Sequence, residues 1–303
     1  MDTRRSTLKQ KAAAVGSADE TWDAAVAKDA FVEKVLLLGG AARRVLPWRW
    51  IDDAYGVLVS EVMLQQTQVA RVDGRWQRFM ARFPTADALA SASVADVLDE
   101  WQGLGYNRRA LNLKRAAEAC ARDLGGRVPE SYEELLALPG VGPATAAGVV
   151  AFAYDKPAVY LETNVRTVFL HELFPDEEGV RDDRIRPLVA ASCPSAGVRE
   201  WYYALLDYGA QLKSQVGNAS RRSAHYVRQS SFEGSRRQKR AFLVREVLAD
   251  PTAEASAAKG LLDDFERARG RDAVTDDEFW SIVGELAAEG FFAGSSAELW
   301  KRG

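Results

Sequence analysis

The stretch Leu138-Pro139-Gly140-Val141-Gly142-Pro143-Ala144-Thr145, running on as Ala-Ala-Gly-Val-Val to residue 150, decides how this chain folds. Gly140 and Gly142 bracket a single valine between two runs of helical pattern, so the backbone must turn tightly there. After the turn, Thr145 to Ala153 is a helix of small residues, which lets another backbone come close. A turn that leaves amides unpaired at a helix N-terminus is a ready phosphate clamp. Past a short connector the chain reaches Glu162-Thr163-Asn164-Val165-Arg166, an isolated acid beside an amide. An acid held next to an anchored nucleotide can act on it, so the stretch predicts a DNA-processing site.

Working outward, the pattern stays helical. FVEKVLLLGGAARR predicts one short helix from Phe31 to Arg44 ending near Gly39-Gly40, broken by Pro47-Trp48-Arg49. Asp52 and Asp53 offer caps for AYGVLVSEVMLQQTQVARV (54–72), which is apolar on most sides and therefore buried. Ser93 is an N-cap for the run into Trp101, and Ser131-Tyr132-Glu133-Glu134 fits a capping box for the next. Gly103-Leu104-Gly105-Tyr106 is a tight turn, Asn107-Arg108-Arg109 opens a basic helix, and Gly125-Gly126 stops it. Strand signals are nearly absent, so the first 230 residues read as all-α with short connections.

Glu61 lies inside the apolar helix, with Val57, Leu58, Leu64 and Gln65 three and four positions away. A carboxyl among aliphatic neighbours holds its proton to higher pH and is suited to general-acid work; the alternative is a glutamate paired with arginine or backbone. Gln65, Gln66, Thr67 and Gln68 follow as a polar cluster. Their amides either read base edges and fill a gap in a base stack, or simply end the buried face.

The chain has 303 residues, 47% of them hydrophobic and 27% charged, enough for one large domain plus a small one. No apolar run reaches the length of a membrane span, and the N-terminal residues show no apolar signal region, so a cytoplasmic protein is expected. Two cysteines, Cys120 and Cys193, and two histidines, His171 and His225, leave no disulfide framework and make a zinc site improbable. The net charge of −3 hides a local bias: residues 213–240 carry eight Lys or Arg against Glu233 alone. Such a strip either binds phosphates or is a solvated charged face.

In order and spacing, these motifs resemble the helix-hairpin-helix DNA glycosylase superfamily, in the branch of adenine DNA glycosylases with endonuclease III close by. The resemblance spans about residues 31–212 and is carried by Pro47-Trp48-Arg49, SEVMLQQTQVARV (60–72), RFMARFPT (78–85), GLGYNRRALNLKRAA (103–117), LPGVGPATAAGVV (138–150), ETNVRTV (162–168) and DYGA (207–210). It implies an all-α, two-lobed glycosylase fold over residues 31–233, preceded by a tail, 1–30. The site would lie between the lobes and take a nucleotide flipped out of the duplex. Glu61 matches the acid that protonates the purine, Glu162 the carboxylate that stabilises the sugar cation, and Asn164 a residue that orients it. Gln65 and Gln66 match a segment probing the opposite strand, and Tyr106 a wedge near the lesion. Gly140, Val141, Gly142 and Thr145 match the backbone clamp, with a monovalent cation on the carbonyls of Leu136, Leu138 and Val141. Arg108, Lys213, Arg221 and Arg222 are the basic side chains expected on DNA phosphates.

Three departures from the family pattern shape the expected activity. Ala144 stands where lyase-competent relatives have lysine, so base removal without strand cleavage is expected. The four cysteines that hold an iron–sulfur cluster after the Asp-x-Gly-Ala motif are absent, and no cluster is expected. Glu162 replaces aspartate, moving the carboxylate by about one ångström, enough to matter for rate. The expected activity is that of a monofunctional, monomeric base-excision glycosylase on duplex DNA. Adenine opposite guanine or 8-oxoguanine leads as substrate. A modified or mispaired pyrimidine such as uracil or 5-hydroxymethyluracil, or DNA binding without catalysis, are the alternatives. Residues 234–303 look like a small winged-helix domain of three helices and a wing. Its acidic second and third helices favour a packing or partner role over groove reading.

Overall fold

The computed structural model describes residues 28–228, 230–250 and 254–291. Its α-helices in chain order are α1 Lys28–Ala41, α2 Ala54–Leu64, α3 Val69–Val72, α4 Arg75–Arg82, α5 Ala86–Ser91, α6 Val94–Glu100, α7 Arg108–Asp123 and α8 Tyr132–Ala137. They continue as α9 Pro143–Tyr154, α10 Thr163–Leu173, α11 Asp182–Ser192, α12 Val198–Gln215, α13 Arg236–Ala249, α14 Ala255–Arg267 and α15 Asp276–Glu289. Among the described residues the sole β pairing is an isolated bridge between Val180 and Ser223, and no helix is long and apolar enough to cross a membrane. The all-α expectation holds. The chain forms two compact units, whose boundaries fall inside α9, between Thr145 and Ala146, and at Val45/Leu46 and Arg228/Gln229.

The first unit comprises α1, α9 from Ala146, and α10 to α12. Its core is aromatic: Phe31 of α1 lies 5.1 Å from Phe169 of α10 and 6.3 Å from Trp201 of α12, centroid to centroid. Burial of each such ring stabilises the fold by about 1.5–3 kcal/mol. Two glycines set how closely α12 packs. A Cβ on Gly39 would sit 2.2 Å from the carbonyl oxygen of Ala204, and one on Gly209 would sit 2.3 Å from that of Asn164. α1 ends at Ala41, next to Gly39-Gly40 as expected, and Gly39 also serves as its contact surface against α12. Arg44, just past α1, donates Nε to Asp207 Oδ1 at 2.5 Å and its backbone N–H to Oδ2 at 3.2 Å.

The second unit comprises α2 to α8, the start of α9, and α13 to α15. Asp53 caps α2 by accepting from the amides of Tyr55 and Gly56, at 3.2 and 2.9 Å. Tyr55 to Ser60, Val62 and Met63 are then buried, as the apolar pattern requires. Trp76 of α4 donates Nε1–H to the Gly56 carbonyl at 3.0 Å. Ser93 and Ser131 cap α6 and α8 as expected. The three helices expected in the C-terminal region form at α13, α14 and α15 around Leu243, Leu262, Phe279 and Ile282. They belong to the same compact unit as residues 46–145. Most of the expected tail, residues 1–27, and the last part of the expected winged-helix-like domain, residues 292–303, lie outside the described residues.

Because the Gly209 contact is backbone against backbone, nothing flexible can yield to an added methyl group. Gly209→Ala is expected to cost about 1–3 kcal/mol in urea unfolding. Unchanged stability would contradict the close packing of α10 on α12.

Candidate DNA-processing site

In the second unit the hairpin forms where the sequence placed it. Val141 N–H donates to the Leu138 carbonyl at 3.2 Å, closing the turn between α8 and α9. Gly140 has φ +75°, and a Cβ there would meet Asn112 of α7 at 2.5 Å, so only glycine fits. A Cβ on Gly142 would meet nothing within 4 Å, and Pro143 and Ala144 are exposed at the start of α9. Pro143 fits the first helical position, where its missing N–H costs nothing, and the amides after it lack helical partners. The implied cation would rest on the carbonyls of Leu136, Leu138 and Val141. The donor set is neutral backbone oxygen without carboxylate, and Leu138 has one lone pair committed to the turn. That chemistry suits a singly charged ion held weakly and not a divalent one.

Glu61 lies on α2, half-buried, one turn before the helix ends. Gln65 caps that end and donates Nε2–H to Thr145 Oγ1 at 2.9 Å, which ties the glutamine segment to the hairpin helix. Gln66 is exposed with φ +53°, and Tyr106 is 36% exposed with φ +49°. Left-handed backbone in a residue with a side chain is costly and needs support. Arg109 supplies it for both. Its Nη1 donates to the carbonyls of Val62, Met63 and Gln65 at 2.6–2.9 Å. Its Nη2 donates to Thr67 Oγ1 at 2.9 Å and to the carbonyls of Leu104 and Gly105 at 3.2 and 3.0 Å. The guanidinium lies 5.4 Å from the Trp101 ring and 5.5 Å from the Tyr106 ring. Burial brings its pKa down to about 10, so it stays charged at neutral pH.

Sequence reasoning missed Arg109 and named Arg108. Helical spacing was the available signal: Arg109 shares a stripe with Leu113, Ala116 and Cys120, all buried. Arg108 sits on the outer face, 3.2 Å from Glu289 of α15. The basic strip divides as well. Arg236 and Arg240 pair with Glu285, Arg240 also with Glu289, and Lys239 with Glu278, all at 2.6–2.8 Å. Much of it therefore neutralises the acidic α15. Arg237 instead donates to the Tyr106 hydroxyl at 2.6 Å and stacks 5.5 Å from its ring. The C-terminal helices thus touch the residue expected to wedge into DNA.

In the first unit, Glu162 is the N-cap of α10. Its Oε1 accepts from the amides of Asn164 and Val165 at 2.5 and 3.0 Å. Among the described residues Oε2 takes no donor. The helix dipole and both amides favour the charged carboxylate, as do Lys213 and Arg166. Burial outweighs them and pushes the Glu162 pKa above the usual carboxylate range. Asn164 Oδ1 accepts from Lys213 Nζ at 2.6 Å. Arg222 is spent within the fold: Nη2 donates to the Leu170 carbonyl at 2.8 Å, Nη1 to that of Phe174 at 2.6 Å, and Nη1 also to that of Pro175. It closes the C-terminal end of α10 and ties down the loop that follows. Arg221 is exposed, and among the described residues it makes no ion pair.

The comparisons agree with this geometry. Residues 59–183 match the family model described as HhH-GPD superfamily base excision DNA repair protein. An adenine DNA glycosylase of Mycolicibacterium smegmatis is 35% identical over 273 residues, covering 83% of this chain and 92% of that one. One of Mycobacterium tuberculosis is 48% identical over 128 residues, 42% of each chain. A thermostable thymine-DNA glycosylase shares the fold, with TM-score 0.56 at 24% identity over 63% of this chain and 90% of that one. The chain belongs to the helix-hairpin-helix DNA glycosylases, in the adenine DNA glycosylase family.

Two outcomes follow from the geometry. Lysine in place of Arg109 has too few donors, in the wrong shape, for six acceptors on two turns. Arg109→Lys is expected to lose about 3 kcal/mol in denaturant unfolding followed by tryptophan fluorescence, and wild-type stability would contradict the joint. Glu162→Gln keeps an oxygen for the cap and removes a desolvated charge. The wild-type carboxyl holds its proton more tightly folded than unfolded. Its stability relative to the variant therefore falls as pH rises from the ordinary carboxylate range through the raised folded value. The variant should melt higher above that interval, and a lower Tm there would refute the burial account.

Proposed function

We propose that the protein hydrolyses the N-glycosidic bond of adenine mispaired with guanine or 8-oxoguanine in duplex DNA, leaving the strand intact. The observation that carries this reading is the Glu162 carboxylate, held by the α10 amides with its second oxygen uncommitted, in a chain so close to an adenine DNA glycosylase. Breaking the bond between C1′ and the base develops negative charge on the base and positive charge on the sugar. Glu61 gives its proton to the purine as the bond lengthens, so the base leaves neutral. Glu162 faces the sugar cation through Oε2 and takes a proton from the water that attacks C1′. The hairpin amides at Gly140 to Thr145 and the exposed Arg221 hold phosphates, while Gln66 and Tyr106 enter the stack around the flipped nucleotide.

Two cysteines in the whole sequence support a site that works without an iron–sulfur cluster, its loop held by Arg222 instead. Ala144, exposed on the first turn of α9, supports hydrolysis without a lyase step, because no amine stands there to form a Schiff base.

Labelled duplexes with A:8-oxoG, A:G, uracil or 5-hydroxymethyluracil, incubated with protein and then treated with alkali, test the reading. Strand breaks are expected at A:8-oxoG and A:G only after alkali. Glu61→Gln and Glu162→Gln should each lower single-turnover release by about a hundredfold or more. Release confined to the pyrimidine lesions, or none at all, would overturn the substrate assignment. Breaks without alkali would overturn the hydrolytic one.

A further inference from the structure

We propose that Lys213, expected from the sequence on DNA phosphates, is the positioning residue of the Glu162 carboxylate, acting through Asn164. The proposal deepens the glycosylase reading and rests on it. Three contacts make the relay. Asn164 donates its backbone N–H to Glu162 Oε1 at 2.5 Å. Its side-chain Oδ1 accepts from Lys213 Nζ at 2.6 Å. The backbone contact of Gly209 with Asn164 lies one turn before Lys213 on α12, and it brings the lysine within reach. Lysine has donors only, so the atom facing it must be the amide oxygen. Lys213 therefore fixes which way the amide points and turns its Nδ2 hydrogens away from Nζ, toward water or substrate.

The charge on Lys213 is placed to act on Glu162. The other charged groups packed around it from α10, α11 and α12 are already committed. Arg166 is bound by two hydrogen bonds to Asp182, at 2.8 and 2.9 Å, with His225 beside that carboxylate. Arg44 is bound to Asp207. Among the described residues no carboxylate lies within ion-pair distance of Lys213 Nζ, and Glu162 is the carboxylate whose charge acts on it. Burial lowers the Lys213 pKa and the Glu162 charge raises it, a mutual dependence expected of two groups sharing one desolvated space. Losing the ammonium should make the carboxylate harder to ionise.

The test uses the full chain as wild type, Lys213→Met and Lys213→Arg. Single-turnover release from an A:8-oxoG duplex is measured across pH, and the Glu162 carboxyl is titrated without DNA by carbon-13 NMR, assigned with Glu162→Gln. In Lys213→Met the Glu162 midpoint and the acid limb of the rate profile should both move to higher pH, with plateau release down about tenfold to a hundredfold. Lys213→Arg should recover most of both. A Met variant with the wild-type NMR midpoint would overturn the proposal whatever the activity. So would unshifted release, or a borohydride-trapped DNA adduct that disappears in Lys213→Met, since the lysine would then be a nucleophile. No release by wild type on any duplex, with the NMR shift intact, would sink the glycosylase reading and leave the Lys213–Glu162 coupling standing.

Discussion

The backbone of α12 touches the backbone of α10 at Gly209, and the arrangement of the first unit depends on that contact. A side chain of any size at 209 would push the helices apart. Their separation decides whether Lys213 reaches Asn164 and whether Tyr208 donates to Glu172. Gly39 does the same against Ala204 on the opposite side. Two missing methyl groups thus set the distances of a polar network that hydrogen bonds alone would be too weak to impose, since each contributes about 1 kcal/mol net.

The second unit has a corresponding joint in Arg109. Two turns with unfavourable backbone, at Gln66 and Tyr106, are tied by one guanidinium whose six acceptors come from both. Strain of about 1–3 kcal/mol per residue persists only where surrounding structure overdetermines it. Here the support is half-buried and the strained residues are exposed, which is the disposition of groups preorganised to meet a ligand. The contact of Arg237 with Tyr106 brings the C-terminal helices into the same arrangement, in keeping with the packing role their acidic composition favoured.

Glu162 shows capping and desolvation in opposition. Capping α10 rewards the carboxylate, yet burial outweighs the cap and holds its pKa high. Glutamate is an uncommon cap because its chain must fold back to reach the amides. The fold back fixes Oε1 on the two amides and leaves Oε2 without a donor among the described residues, so the length of the glutamate chain is taken up by capping geometry.

The sequence by itself determined the helices, their caps at Asp53, Ser93 and Ser131, the hairpin at Gly140, and the family to which these motifs belong. Those features are local: a cap or a turn is a matter of neighbours three or four residues away, and periodicity records which face is buried. Only the tertiary structure decided what each arginine and lysine does. Arg108, Arg109, Lys213, Arg222 and Arg237 are alike on paper. One pairs with α15, one joins two strained turns, one holds Asn164, one closes α10, and one grips Tyr106. A long cationic side chain takes its role from the acceptors within its reach, and these lie dozens of residues away in sequence. Composition marked a basic strip suited either to phosphates or to a solvated face, whereas packing committed much of it to carbonyls and carboxylates within reach.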